Sequence, residues 1–194
     1  MSKEIWGPKA WHLIHNFSIH SKNNNCMYTM IQTFGHILPC EVCKKHYNYI
    51  INDIYYLNEE NVSKEIITKY LIDIHNMINE DLDKHLKMSF KNAIEIQKKT
   101  IDSDILFFIK IVYKQFDYIN MSFFEFDKIY NFFVCFVQNY PSKKINIILN
   151  DLISKKDFSD ADTPMSFKKW FMKNYCTLHV VSTIQQSSFM KKKL

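Results

Sequence analysis

The sequence predicts an all-α protein, with a four-helix bundle and a short fifth helix followed by a second helical module. Apolar side chains recur at every third or fourth position over most of the 194 residues, which is the spacing of an amphipathic helix. The chain has only two glycines and four prolines, so turn-rich β-sandwiches are poor candidates. Two glycines also cannot build the glycine-rich loops that bind phosphates.

Residues 1–97 are predicted to form the bundle. Pro8 suits the first turn of a helix, and Trp11, Ile14 and Ser18 then share one of its faces. A polar loop separates this helix from the next one. The further helices are predicted at residues 27–38, 40–54, 63–84 and 90–97, with a proline between the second and the third.

Residues 98–194 are predicted to form the second module. Ser122, with Glu125 three residues later, is a capping box and therefore marks the start of an aromatic helix. The helices of this module are predicted at residues 102–116, 122–140, 145–153 and 163–181. We found no internal sequence repeat between the two halves.

Charge and cysteine content limit the class of protein. The formal net charge is +5, and the excess of positive charge lies in the second half. That half has 15 lysines and 9 acidic residues, whereas the first half has 10 lysines and 11 acidic residues. These lysines are scattered, so we expect a solvated surface and no nucleic-acid binding.

The amino terminus lacks the apolar core of a signal peptide, and the most apolar stretch contains charges, so no membrane association is expected. Five cysteines without a secretion signal favour catalysis or metal binding over a disulfide scaffold.

Cys40 and Cys43 form a CxxC motif at the predicted start of the third helix. Sulfur atoms there lie near unpaired backbone N–H groups and the positive end of the helix dipole, which stabilises a thiolate. Dithiol–disulfide chemistry is therefore one interpretation. A zinc site is a second, because the spacing of His36, Cys40, Cys43 and His46 suits Cys2His2 coordination. Two ordinary reduced cysteines are a third, and the motif alone does not decide among them.

Two groups of polar residues on helix faces are further candidates. Trp11 and His15 lie four residues apart, hence on one helix face, where a buried core pair is the simpler interpretation. His75 and Asn79 are also four apart and could bind the edge of a planar heterocycle such as a purine, with Lys84 near a diphosphate. A solvated, asparagine-rich face is the alternative for this second group.

These three groups occur in the order found in the Erv/ALR family of FAD-dependent sulfhydryl oxidases, which the sequence resembles. The matching motifs are WGPxxWxxxH at residues 6–15, PCxxCxxHY at residues 39–47 and HNxxNxxLxK at residues 75–84. Each motif alone is a weak signal, but three in order over about residues 5–92 are specific. The WGPK opening is similar to that of the short versions carried by large cytoplasmic DNA viruses.

The resemblance implies a helical bundle that holds FAD non-covalently and pairs into a homodimer. It implies that Cys40 exchanges disulfides with the substrate, while Cys43 faces the isoalloxazine ring. Residues of the first two motifs would surround the flavin, and those of the third would hold the adenosine and pyrophosphate. The cofactor-binding residues implied are Trp6, Gly7, Trp11, His15, Tyr47, His75, Asn76, Asn79, Leu82 and Lys84. No metal is expected.

The function implied is a thiol oxidase that forms disulfides in thiol-containing protein substrates, with molecular oxygen as acceptor and hydrogen peroxide as product. Its expected location is the host-cell cytoplasm or the virion, with an organelle as the alternative. A zinc-stabilised helical binding module and a structural protein that keeps flavin without turnover are the other hypotheses. Residues 98–194 have no counterpart in the core family, and we expect them to serve dimerisation or docking.

The sequence also departs from the family pattern. It lacks the further cysteine pair of cellular members and the shuttle CxxC of a flexible tail, so the substrate would have to reach Cys40 directly. Tyr70 stands where many members have a tryptophan. Of the remaining cysteines, Cys26 beside a polar loop could relay electrons, whereas Cys135 and Cys176 are expected to be core residues.

Overall fold

The computed structural model describes residues 2–84, 87–97 and 102–174, which form helices and connecting turns without a β-strand. A π-helical turn (Ile50–Ile54) continues the third helix, and a 3-10 turn (Glu59–Asn61) precedes the fourth. The predicted all-α class is therefore confirmed. The helices are α1 (Lys3–His20), α2 (Asn24–Ile37), α3 (Glu41–Tyr49), α4 (Lys64–Asp81), α5 (Phe90–Gln97), α6 (Asp102–Gln115), α7 (Phe123–Gln138), α8 (Lys143–Ile153), α9 (Lys156–Ser159) and α10 (residues 164–174).

Side-chain caps begin several of these helices as the sequence predicts. The side-chain oxygens of Asn23, Ser63 and Ser122 each accept the backbone N–H three residues later, at 3.1, 3.2 and 3.1 Å. These bonds satisfy N–H groups that have no partner inside the first helical turn. The predicted start of the aromatic helix at Ser122 is therefore confirmed.

The bounds of several helices differ from the prediction, and α2 begins at Asn24 instead of residue 27. α1 begins at Lys3, so Pro8 lies inside the helix and not in its first turn. The helix tolerates Pro8 because its ring removes only one backbone bond, close to an end whose N–H groups are unpaired anyway. α4 stops at Asp81 rather than Lys84, because Asp83 adopts a positive φ of 52° that turns the chain. The short α9 was not predicted, since a single turn shows no periodicity.

The first half forms the predicted bundle with its fifth helix. α1 packs against α2, α4 and α5, and α2 packs against α3 and α4. Leu13, Ile14 and Phe17 of α1 are fully buried at its centre.

The two halves share one hydrophobic core. α7 packs along α2, and α6 packs along α1. Aromatic rings meet across this boundary, with 5.3 Å between the ring centroids of Phe17 and Phe136 and 6.2 Å between those of Phe34 and Phe132. The domain boundary at residue 97 stays a prediction of the sequence. The predicted extension of the last helix to Val181, and Cys176, lie outside the described residues.

In the part of the chain that the structure describes, no helix combines the length and the apolar character needed to span a membrane.

Candidate functional site

Cys40 and Cys43 form a disulfide at the start of α3, with 5.1 Å between their Cα atoms. Cys40 is the N-cap residue of this helix, and its Sγ accepts the backbone N–H of Cys43 at 3.2 Å. Both side chains are half-buried. Once the disulfide is reduced, this N–H group and the helix dipole stabilise a thiolate on Cys40, so the local geometry suits thiol–disulfide exchange.

A cleft of about 410 Å³ opens beside Cys40, and Cys43 does not line it. One wall is the segment from Leu38 to Lys44, and the other comes from the end of α6 and the start of α7 in the second half. The Nζ of Lys44 lies 3.3 Å from the carboxylate of Glu125 and 3.6 Å from that of Glu41. The ion pair between Lys44 and Glu125 connects the two walls of the cleft. The lining residues are Leu38, Pro39, Cys40, Glu41, Lys44, Val112, Gln115, Phe116, Asp117, Asn120, Met121 and Glu125.

Trp11, His15 and His75 form a stacked cluster between α1 and α4. The centroids of Trp11 and His75 are 4.0 Å apart with planes at 9°, and those of Trp11 and His15 are 5.5 Å apart. The Nε2 of His15 lies 3.0 Å from the Nδ1 of His75, within hydrogen-bond distance. The opposite ring atom of His15, its Nδ1, is buried and has no hydrogen-bond partner among the described residues.

Both imidazoles of this cluster are held in the neutral form. Burial, and then the neighbouring His75, lowers the pKa of His15 to about 3. Burial, and then the charge of Lys84, lowers the pKa of His75 to about 4. At neutral pH the cluster therefore offers aromatic faces and imidazole hydrogen-bonding atoms without a positive charge.

Tyr47 connects the helix of the CxxC motif to this cluster. It lies one helical turn after Cys43, is fully buried, and donates its hydroxyl to the carbonyl of Ile31 at 3.2 Å. Its ring packs edge-on against Phe34 at 5.3 Å, and Phe34 lies 6.2 Å from Trp11. A continuous row of aromatic rings therefore runs from the helix that carries the CxxC motif to the tryptophan–histidine cluster.

The polar residues of the third motif lie at the end of α4. The side-chain amide of Asn76 accepts the N–H of Met88 at 2.7 Å and donates to its carbonyl at 2.9 Å. Asn79 accepts the N–H of Lys84 on its backbone carbonyl at 2.8 Å. Asn76 and Lys84 line a second cleft, of about 340 Å³, together with Glu80, Asp83 and Lys87. In this cleft Lys84 and Lys87 lie with two carboxylates, and the Nζ of Lys87 is 4.0 Å from the carboxylate of Glu80.

The other predicted cofactor residues lie apart from these groups or at their edge. The ring of Trp6 is buried against Phe108 of the second half, with 6.5 Å between centroids. Gly7 has open space beside its Cα, and Leu82 is exposed just beyond α4. Tyr70 stacks on Tyr55 at 5.0 Å and donates to the carbonyl of Tyr55 at 2.6 Å.

The four residues of the zinc hypothesis are not brought together as a metal site. Cys40 and Cys43 are bonded to each other, and the Nε2 of His46 lies 2.8 Å from the carboxylate of Asp81. His36 packs near Phe124, with 6.3 Å between ring centroids. Within residues 2–84, 87–97 and 102–174, no three histidine, cysteine or acidic side chains are grouped so as to hold a metal ion.

Sequence reasoning missed Phe34 and the entire second wall of the Cys40 cleft. Phe34 has the spacing of an ordinary core residue of α2, and nothing local marks it as a neighbour of Trp11. The second wall begins at Val112, 69 positions after Cys43, so only the packing of α6 and α7 reveals it.

A disulfide at a helix start, open to a cleft and linked by aromatic rings to a buried histidine pair, is the arrangement of an all-helical thiol-redox protein. Residues 8–100 match the sequence model of the Erv1 / Alr family. With the relatives described next, this match shows that the chain belongs to the Erv1 / Alr family, as the three motifs predict.

Two viral proteins are similar to the chain. A protein of Acanthamoeba polyphaga mimivirus, named a probable FAD-linked sulfhydryl oxidase, is 30% identical over 107 residues, which cover 52% of this chain and 74% of that protein. A protein of Invertebrate iridescent virus 6, also named an FAD-linked sulfhydryl oxidase, is 29% identical over 92 residues, covering 42% of this chain and 83% of that protein. No solved structure matches the chain.

Proposed function

We propose that the chain is an FAD-linked thiol oxidase, which takes electrons from protein dithiols through Cys40 and Cys43 and delivers them to molecular oxygen, with hydrogen peroxide as product. The observation that carries this proposal is the Cys40–Cys43 disulfide, whose first sulfur lines an open cleft while its helix leads to the buried aromatic cluster. The names of the two viral relatives support the same activity.

Exchange with the substrate begins at Cys40. A substrate thiolate attacks the Sγ of Cys40, so that a mixed disulfide forms and Cys43 leaves as a thiolate. A second substrate thiolate then attacks the substrate sulfur and releases Cys40, so the substrate leaves oxidised and the chain holds a dithiol. The backbone N–H of Cys43, 3.2 Å from the Sγ of Cys40, stabilises the thiolate released in this step.

We assign FAD to the tryptophan–histidine cluster and the end of α4. Trp11, His15 and Tyr47 provide aromatic faces and an unpaired, buried imidazole nitrogen for the flavin ring. His75, Asn76, Asn79 and Lys84 are assigned to the adenosine and the diphosphate. When bound, FAD supplies two-electron acceptance and reaction with oxygen, which no side chain can provide. The protein contributes position, a water-poor environment and a neutral histidine pair.

The substrate class, the oligomer and the location follow from the same proposal. Thiol-containing proteins are the substrates, and the cleft beside Cys40 is where they bind. A homodimer and a location in the host cytoplasm or the virion rest on the resemblance to the family. Size-exclusion chromatography with light scattering tests the dimer, since a mass of one chain at micromolar concentration would contradict it.

The proposal predicts that Cys43→Ala abolishes oxygen consumption with dithiothreitol but leaves FAD bound, because the variant cannot pass electrons beyond Cys40. Flavin absorbance of the purified protein, an oxygen electrode and a peroxidase-coupled assay for hydrogen peroxide measure these properties. Cys26→Ala is the matched control and should keep wild-type turnover.

Two results would contradict the proposal. A Cys43→Ala variant that consumes oxygen at the wild-type rate would remove Cys43 from the pathway. A wild-type protein that binds flavin but does not turn over would favour a structural role.

A further inference from the structure

A second pair of cysteines lies at the junction of the two halves. Cys26 is on the first turn of α2, and Cys135 is on the last turn of α7, the helix that packs along it. Neither forms a disulfide in the structure. The thiol of Cys26 bonds Gln138, one turn after Cys135 on α7, so the two cysteines are neighbours across this junction although 109 positions separate them in sequence.

Several contacts hold these helix ends together. The thiol of Cys26 donates to the Oε1 of Gln138 at 3.4 Å, and Gln138 lies three residues after Cys135 on α7. The Oγ of Ser21 donates to the Oδ1 of Asn139 at 3.1 Å. The Nδ2 of Asn139 in turn donates to the carbonyl of Cys135 at 3.2 Å. Side-chain hydrogen bonds therefore hold the two helix ends that carry Cys26 and Cys135 against each other.

The two thiols differ in access to solvent. Cys26 is half-exposed, whereas Cys135 is only 9% exposed. Burial, and then the hydrogen bond to Cys26, raises the pKa of Cys135 to about 12, so this group is a thiol at neutral pH. A reagent from solution must therefore react at Cys26 first, and Cys135 can act only as the second thiol.

We propose that Cys26 and Cys135 are a second redox site, which forms a disulfide that covalently joins the two halves of the chain. The thiolate of Cys26 attacks an incoming disulfide, here glutathione disulfide, and expels one glutathione. Cys135 then loses its proton to solvent and attacks the Sγ of Cys26, which expels the second glutathione. The two cysteines lose two electrons and two protons, and glutathione disulfide gains both.

The oxidant must come from outside the molecule. α2 has 14 residues and is therefore roughly 21 Å long. Cys26 lies on its first turn, and Cys40 lies three residues beyond its other end, so the two disulfide-forming pairs cannot exchange directly within one chain. The proposal thus goes beyond the proposed oxidase function and does not depend on it.

The test uses the full-length variant Cys40→Ser/Cys43→Ser/Cys176→Ser, which keeps only Cys26 and Cys135. It is equilibrated in glutathione buffers of increasing oxidised fraction, alkylated and analysed by intact mass and peptide mapping. We expect both thiols to disappear together, a linked peptide pair to form, and the melting temperature to rise relative to the reduced protein. Adding Cys135→Ser should leave only a mixed disulfide of glutathione with Cys26.

Accumulation of glutathione on Cys26 without a linked peptide, or two free thiols at the most oxidising ratio, would overturn the proposal and leave the pair as hydrogen-bonded structural thiols. If the triple variant does not fold, the same alkylation and peptide mapping on the wild-type chain decides the question, because a peptide linking Cys26 to Cys135 is unique by mass. Its absence from the oxidised wild type would overturn the proposal as well.

Discussion

His15 shows how the environment of a single residue sets its chemistry. Its side chain is 1% exposed, and it contacts the ring of Trp11 and a second imidazole, His75, instead of a carboxylate. A proton on this ring would therefore be buried without a counter-charge, which is why the neutral form is favoured. The sequence places Trp11 and His15 on one helix face, but it cannot show that His75, 60 positions later, stacks on both.

The neutral state of His15 predicts a dependence of stability on pH. A histidine in the unfolded chain has a pKa of about 6.5, so the unfolded state binds the proton as the pH falls below this value, while folded His15 stays neutral until about pH 3. The free energy of unfolding should therefore decrease from pH 6.5 towards pH 3.

We expect His15→Gln to remove about 2 kcal/mol of the stability difference between pH 7 and pH 5. Urea unfolding of both proteins at the two pH values measures it, and comparing each protein with itself cancels any cost of the substitution that does not depend on pH. Equal differences for the two proteins would show that His15 takes up a proton in the folded state.

Asn76 shows a limit of motif-based reasoning at the same scale. The sequence places its amide on a polar helix face, as a group for the edge of a purine. In the structure both ends of this amide bond the backbone of Met88 and so close the turn after α4. Each end of this amide makes one bond to Met88, so a further N–H and a further lone pair remain. A role of Asn76 towards the cofactor is therefore compatible with these bonds and stays a prediction.

At the scale of elements, Gly35 sets how closely α2 approaches α3. A Cβ atom built at this position would collide with the side chain of Asn48 and lie 3.0 Å from the ring of Tyr47. Gly7 in α1 is the opposite case, since a Cβ there meets nothing within 4 Å. The two glycines of the chain therefore differ in the space beside their Cα atoms, although both lie inside helices.

Gly35→Ala is expected to destabilise the protein by about 1–3 kcal/mol, because the collision outweighs the higher helix propensity of alanine. Gly7→Ala is the matched control and should change stability by less than about 1 kcal/mol, as the gain in propensity is reduced by the proline that follows. Chemical unfolding measures the stability of both variants. A neutral or stabilising Gly35→Ala would mean that α3 can move away from α2 without cost.

Helix starts with a serine cap are predicted to within one residue, whereas the end of α4 is not. Caps such as Ser122 are local, since the side chain bonds an N–H only three residues away. The π-helical turn after α3 and the positive φ of Asp83 are invisible to apolar periodicity, although aspartate is one of the residues that adopt a positive φ most readily. Periodicity alone therefore extends α4 to Lys84, beyond its end at Asp81, whereas the predicted end of the third helix at residue 54 agrees with the π-helical turn.

For the whole molecule, the important feature is that the second half completes the surroundings of Cys40. The end of α6 and the start of α7 form one wall of the cleft, and Glu125 binds Lys44 across it. Apolar periodicity predicts that these helices have buried faces, but it does not identify the partner of each face. Consequently the sequence predicts a second helical module without predicting that it borders the candidate site.

This arrangement predicts that a bulky residue in the second wall selectively impairs large substrates. Gln115 lines the cleft and is exposed, whereas Lys114 beside it is exposed and does not line the cleft. Gln115→Trp should raise KM for a reduced, unfolded protein several-fold and leave turnover of dithiothreitol unchanged, because only the larger substrate needs the cleft. Lys114→Trp should change neither, and equal effects of the two variants would show that the cleft is not the binding surface.

The central claim is that the Cys40–Cys43 pair carries electrons from a dithiol to bound FAD. Mixing the purified protein with excess dithiothreitol without oxygen, while following flavin absorbance near 450 nm, tests this claim most directly. We expect rapid loss of absorbance in the wild type and none on the same timescale in Cys43→Ala. Purified protein without flavin absorbance, or a Cys43→Ala variant that loses it at the wild-type rate, would contradict the claim.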